Sequence, residues 1–301
     1  MDSIDQIVIN FTPDKLFFLN ICLGFLLFGV ALDIGISDFK NIVKSPKAVI
    51  VGLISQLILM PILTLAIIFS LELPTSMALG MILVASCPGG NVSNYAVHLA
   101  KANSALSVLL TSISTLAAII ITPLYFSQLA PLVPDSESLR RAINVDPIMM
   151  VLTILKLIVI PLFLGMILNH FYPLFTKKIK SAVKIFSLLI FAGIVFVGVL
   201  SNVDNIMNYI DEIFLLVFFH NAIALTVGYY FAKVNGLEQR DVRAVSIETG
   251  IQNTGLALIL IFNFFNGLGG MALVAAWWGI WHLFSGFTIA MWWSRSSSSE
   301  L

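Results

Sequence analysis

The chain has 301 residues, of which 59% are hydrophobic and only 11% charged, and its mean hydropathy is +1.00. That balance excludes a water-soluble domain and indicates an all-α polytopic membrane protein. The formal net charge of +0 gives no sign of nucleic-acid binding. The two cysteines, Cys22 and Cys87, lie in apolar runs without metal-ligand or redox spacing.

At ~20 apolar residues per span, the length allows about eight to ten crossings. The N-terminal MDSIDQIVINFTPDK has three aspartates and no basic cluster, so the first apolar run is expected to stay as a helix rather than leave as a signal peptide. Apolar runs bounded by charge or Gly/Pro predict helices over Leu16–Leu32 and Ala48–Ser70, the latter with Pro61 and Gln56 inside. Pro74–Cys87 is too short to span alone. It ends in CPGG (Cys87 to Gly90), and a second short piece, Asn91–Ala100, follows. Ser104–Leu129 is the next helix, and the polar loop Pro131–Asp146 separates two halves. Then come Ile148–Phe171, Ile179–Leu200 and Ile213–Val234. Val242–Phe265 is interrupted at Thr249–Gly255, and Met271–Trp293 precedes a polar tail with the serine run Ser296 to Ser299.

This makes about nine spans, two of them broken at corresponding places in the two halves. Each break follows a full helix with polar residues inside, Gln56 in one half, His220 and Asn221 in the other. The layout predicts an inverted repeat with its site where two broken helices cross. With the N-terminus outside and the C-terminus in the cytoplasm, Lys40, Lys44, Lys47, Lys101, Lys177, Lys178, Lys180, Lys184, Lys233, Arg240, Arg243 and Arg295 all fall inside. Only Lys15, Arg140 and Arg141 fall outside, where Asp135, Glu137, Asp146, Asp204, Asp211 and Glu212 also lie.

The second break, SIETGIQNTGL from Ser246 to Leu256, concentrates the chemistry. An acid at bilayer depth marks an ion or substrate path, and glycines are expected to let the helix break and free backbone groups. A sodium ion needs about five or six oxygens. The second break offers the Glu248 carboxylate, the Gln252 amide and the carbonyls of Thr249 and Ile251. The first offers Ser93 and Asn94, while Ser107 and Thr111, four apart, share one helix face. Lys156 is the one basic residue well inside a span, and a salt bridge from it to Glu248 is the structural alternative. A proton on the same acid is the rival coupling ion.

Helix N-termini after the breaks, with donors from Asn91, Asn253 and Thr254, suit a carboxylate, and the absence of arginine there disfavours phosphate. His220 and Asn221 are expected to brace the second break, whereas His98, His170 and His282 read as packing or interface residues. A membrane enzyme finds only Ser93 and His98, five apart across a break, as a nucleophile–base pair. A proton-coupled or exporting carrier on the same fold and a non-transporting sensor stand beside the symporter reading.

Four motifs in order, ISQLILMP (Ile54 to Pro61), SCPGGNVSN (Ser86 to Asn94), ALSVLLTSIST (Ala105 to Thr115) and ETGIQNTGLA (Glu248 to Ala257), resemble the bile acid:sodium symporter family over nearly the whole chain. The resemblance implies a panel domain over about 15–33, 147–172 and 177–203 and a core domain over about 46–131 and 210–294, in one transporter unit. It implies a first sodium site at Ser93, Asn94, Ser107, Thr111 and Glu248, and a second at Gln56, Glu248, Thr249, Ile251 and Gln252. It further implies a nine-span form, without the extra N-terminal helix that bacterial relatives often carry. Threonine commonly follows CPGG in such relatives. Asn91 here points away from bile acid towards a pantoate-like hydroxy acid or another small carboxylate. The expected protein is a monomeric symporter in the cell inner membrane, in contact with lipid, moving two sodium ions with each organic anion.

Overall fold

The structure is a computed structural model and describes residues 4–9, 13–32, 46–134, 136, 147–200 and 209–296. Most of the loop after Pro131, the charges at Lys40, Lys44, Asp135, Glu137, Arg140, Arg141, Asp146 and Asp204, and Ser297 to Ser299 lie outside the described residues.

In chain order the elements are α1 (Pro13–Ala31), α2 (Pro46–Ser70), α3 (Thr75–Ser86), α4 (Ser93–Leu99), α5 (Ser104–Leu129), α6 (Pro147–Phe171), α7 (Pro173–Leu200), α8 (Ile210–Val234), α9 (Gln239–Gly250), α10 (Thr254–Phe264) and α11 (Gly269–Ser296). Four of them open on proline, which lacks the N–H that a first turn cannot use and holds φ near the helical value. This explains why α1 and α7 begin earlier than their apolar runs, at Pro13 and Pro173. Among the described residues, the segments Pro46–Ser70, Ser104–Leu132, Ile148–Phe171, Ile210–Val234 and Gly269–Arg295 are long and apolar enough to cross a membrane. Extended pairing is confined there to two isolated bridges. The chain is an all-helical, polytopic membrane protein.

α2 is continuous but carries a π turn over Ser55–Leu59, just before Pro61. A proline in a helix interior removes one ladder hydrogen bond, and the wider turn absorbs the mismatch. The widened turn contains Ser55 and Gln56, both buried.

α1, α6 and α7 pack on one another, and they meet the other helices where α6 lies on α5 and α1 lies on α10. α8 packs along α9, and α11 packs along α3, α8 and α10. The largest apolar core is built from α3, α10 and α11, whose residues Leu83, Val84, Ile259, Ile261, Val274 and Trp278 are fully buried. A second cluster, with Leu110, Val245, Ile247 and Trp293, surrounds the other end of the crossing. Apolar helices buried this completely cannot shift without opening cavities, so they fix where the breaks meet.

Candidate functional site

Both predicted interruptions are present. α3 stops at Ser86, and residues 87–92 are non-helical before α4. α9 stops at Gly250, and residues 251–253 run extended into α10. The second gap is narrower than Thr249–Gly255, because Thr249 and Gly250 remain helical and Thr254 and Gly255 already belong to α10. Its cause is also different. Gly250 takes no left-handed conformation, and a Cβ there would collide with the Leu225 side chain, so it serves close packing against α8. The turn is made instead by Asn253, whose side chain caps α10 by accepting from the Leu256 N–H at 3.0 Å.

The two gaps satisfy each other's backbone. Gly90 N–H donates to the Ile251 carbonyl at 2.8 Å, Asn253 N–H donates to the Pro88 carbonyl at 2.8 Å, and Gly89 bridges Gln252 in antiparallel sense. This close approach explains the glycine pair. A Cβ on Gly90 would lie 2.8 Å from the Gln252 carbonyl, and one on Gly89 would meet Gln56 Nε2 and stand 3.1 Å from Glu248 Oε2. Freed carbonyls at the ends of the half-helices are capped from neighbouring full helices: Thr122 Oγ1 donates to Ser86 O at 2.7 Å, and Asn221 Nδ2 to Gly250 O at 2.7 Å. Asn221 is itself held by Ser285 Oγ at 2.6 Å. Removing the brace with Asn221→Ala leaves a buried carbonyl unpaired and is expected to cost about 1–3 kcal/mol, read as a lower unfolding temperature of the purified protein.

Glu248, 1% exposed, is the one acid at the crossing among the described residues. It projects from the last turns of α9 into hydroxyls from α4 and α5. Ser93 Oγ lies 2.5 Å from Oε1, Thr111 Oγ1 lies 2.9 Å from Oε2, and Ser107 Oγ bonds Oε1. Asn94 Oδ1 also approaches Ser107 Oγ at 2.7 Å and Thr111 Oγ1 at 3.4 Å, while Ser93 and Thr111 stand 3.5 Å apart. These six oxygen–oxygen approaches share only three hydroxyl hydrogens. A convergence of oxygens short of hydrogens, with one carboxylate among them, has the donor chemistry of a site for a hard cation.

Beside it lies a second group. Gln56 Nε2 donates to Glu248 O at 3.3 Å, and Gln252 Nε2 to Thr249 O at 2.9 Å. The carbonyl oxygens of both side chains, Gln56 Oε1 and Gln252 Oε1, are buried without a hydrogen-bond partner. An unpaired buried acceptor is costly, and two of them on amides held at the backbone of Glu248 and Thr249 fit a further cation. The Ile251 carbonyl is shared with the Gly90 N–H, and Thr249 Oγ1 is engaged with Val245 O and Ser55 Oγ. Among the described residues no group of three His, Cys, Asp or Glu could hold a transition metal.

Some residues are placed differently from the sequence expectation. Lys156 is exposed on α6, whereas the hydrogen-bond partners of Glu248 are hydroxyls, so the salt-bridge alternative fails. His98 is exposed while Ser93 is held on Glu248, so they form no nucleophile–base pair. Asn91 follows the Gly89–Gly90 bridge with its Oδ1 buried and unpartnered. Asn253 spends its side-chain oxygen on the helix cap, and Thr254 Oγ1 lies beside Gly279 of α11. His220 bonds Thr64 Oγ1 at 2.8 Å and packs edge-on against Trp278 rather than touching the break. Sequence reasoning missed Ser55, Thr64, Ser114, Thr122 and Ser285. Of these, Ser114 had a local signal, three residues beyond Thr111 and 3.3 Å from the Gly89 N–H.

Comparison with known proteins gives the family. The pattern of the Sodium Bile acid symporter family matches residues 20–209. The chain is 34% identical over 293 residues to an uncharacterized sodium-dependent transporter YocS of Bacillus subtilis (strain 168), covering 96% of this chain and 88% of that one. It is 30% identical over 271 residues to the probable chloroplastic sodium/metabolite cotransporter BASS2 of Oryza sativa subsp. japonica, spanning 62% of that protein's length. To the probable chloroplastic cotransporter BASS1 of Arabidopsis thaliana it is 28% identical over 275 residues, spanning 66% of its length. The crossed breaks, the caged acid and these relatives lead to one conclusion: the chain belongs to the Sodium Bile acid symporter family, a family of sodium-dependent transporters, and is not an enzyme.

Proposed function

We propose that the protein is a sodium-driven symporter of a small organic anion, with two sodium ions as co-transported cargo. The observation that carries this reading is the shortage of hydrogens around Glu248, where six oxygen approaches share three hydroxyl protons. One ion takes Ser93, Asn94, Ser107, Thr111 and Glu248. The other takes Gln56, Glu248, Gln252 and the carbonyls of Thr249 and Ile251. Two monovalent cations and one monoanion leave one positive charge moved per cycle, so transport is electrogenic.

Because α4 and α5 contribute from one broken unit and α9 from the other, an ion at Glu248 draws the two units together. The same bridged stretch carries Asn91, with its unpartnered oxygen, and leads into Asn253 and Thr254. These three residues face the anion in this reading, through side-chain N–H and O–H donors. Binding of sodium therefore raises affinity for the anion, and by linkage the anion raises affinity for sodium. The panel is α1, α6 and α7. The remaining helices form the core with the inverted repeat, and the core moves against the panel to give alternating access. Nine spans place the N-terminus outside the cell inner membrane, and a single chain suffices for the cycle.

The test is uptake of a small labelled hydroxy acid, such as pantoate, or of a bile acid into proteoliposomes. Uptake is expected under an inward sodium gradient, with stimulation by an inside-negative potential. Uptake driven equally by a proton gradient without sodium would replace this reading with proton coupling. Binding without any uptake would replace it with a sensor.

A further inference from the structure

A groove of about 510 Å³ lies between one end of α2 and the facing end of α8, away from the crossing. Leu215, Leu216, Phe219 and Ile223 line it from α8, and Ala66 and Ile67 from α2. Together with Glu212, the α8 positions fall on one helical face. Glu212 and Ile223 are eleven residues apart, so the groove follows α8 for about 16 Å. It is apolar along its length and ends in a carboxylate at Glu212.

We propose that this groove seats one acyl chain of an ethanolamine phospholipid, with the lipid ammonium on Glu212. The length and lining suit a chain lying parallel to α8 in a membrane. The rim chooses the head group. Among the described residues no Lys, Arg or His lines the groove, while Glu72 and Asp211, both exposed, stand in sequence beside its lining residues Leu71, Leu73 and Glu212. Anionic head groups are therefore repelled. Ser70, also at the rim, already spends its hydroxyl hydrogen on Ala66 O at 2.7 Å, so it too presents only an acceptor. Two acceptors call for a head group with N–H donors, which ethanolamine has and choline lacks.

The inference rests on the membrane assignment and not on the transport reading. The experiment is native mass spectrometry of the full chain from nanodiscs holding equal amounts of phosphatidylethanolamine, phosphatidylcholine and phosphatidylglycerol. The wild type is expected to retain one phosphatidylethanolamine, about fivefold over either competitor, the order expected of one charge-assisted hydrogen bond near a surface. Glu212→Gln is expected to erase the preference but keep a bound lipid. Ala66→Phe, at an exposed position where the ring fills the groove, is expected to lose retention of all three. Equal retention of the three lipids by the wild type means bulk boundary lipid only and overturns the proposal. So does a preference untouched by Glu212→Gln, or full retention in Ala66→Phe.

Discussion

Glu248→Gln is expected to lower sodium-driven uptake by about 100-fold or more while leaving the protein folded. The amide keeps the shape of the carboxylate: its one oxygen, in the place of Oε1, still accepts from Ser93 and Ser107, and its NH2, in the place of Oε2, donates to Thr111 Oγ1. What it loses is the formal charge that two cations share in the proposed site. Taking one partner from a buried charge pair typically costs about 3–5 kcal/mol, and each ~1.4 kcal/mol is a factor of ten in affinity. The amide also turns an N–H towards the cation position, which the carboxylate does not. Uptake into proteoliposomes with a sodium gradient, alongside an unfolding curve without sodium, separates loss of coupling from loss of fold. Normal sodium-driven uptake in this variant would remove Glu248 from the mechanism.

Gly90→Ala is the second large effect. The new Cβ would stand 2.8 Å from the Gln252 carbonyl oxygen and 3.1 Å from Ile251 Cγ2. The oxygen belongs to backbone and cannot rotate away, so the two extended stretches must separate. The Gly90 N–H to Ile251 carbonyl bond, 2.8 Å long, is strained or lost with them. Overpacking of this kind costs about 1–3 kcal/mol and a lost hydrogen bond about 1 kcal/mol more. Because the stretches carry Gln252 on one side and lead into Ser93 and Asn94 on the other, sodium affinity is expected to fall by tenfold or more. Gly193→Ala is the control: a Cβ there meets nothing within 4 Å, and alanine is the better residue in the interior of α7. Sodium titrations of the two variants should differ by at least that factor. Equal affinities would show that the contact between the breaks does not shape the site.

The breaks were legible because their signals are local. CPGG cannot continue a helix, and the second break is marked by its glycines, although the turn there is made by Asn253, which, like Asn103 before α5, caps the helix that follows. Ser107 and Thr111 were legible because spacing of four puts them on one face. Long-range partners had no such signature. Thr122 reaches Ser86 across 36 residues, a pairing not written in any periodicity; Asn221 does brace the second break as expected, at the Gly250 carbonyl, but His220, its neighbour, does not. The role of Gly250 was misread for the same reason: its need for no side chain comes from Leu225 on another helix, not from its own backbone angles. The π turn of α2 had a clue in Pro61, but a proline alone does not say whether a helix kinks, stops or widens. The approach of Thr254 to Gly279 of α11 likewise has no local signal.

The most direct test is the thermal stability of the purified protein titrated with sodium chloride against potassium chloride at constant ionic strength. A ligand that binds the native state raises its stability by an amount that grows with concentration over its dissociation constant. Saturable stabilisation by sodium, absent with potassium and absent in Glu248→Gln, is the predicted result. Equal stabilisation by both salts, or the same sodium response in Glu248→Gln, would contradict a sodium cage built around that carboxylate.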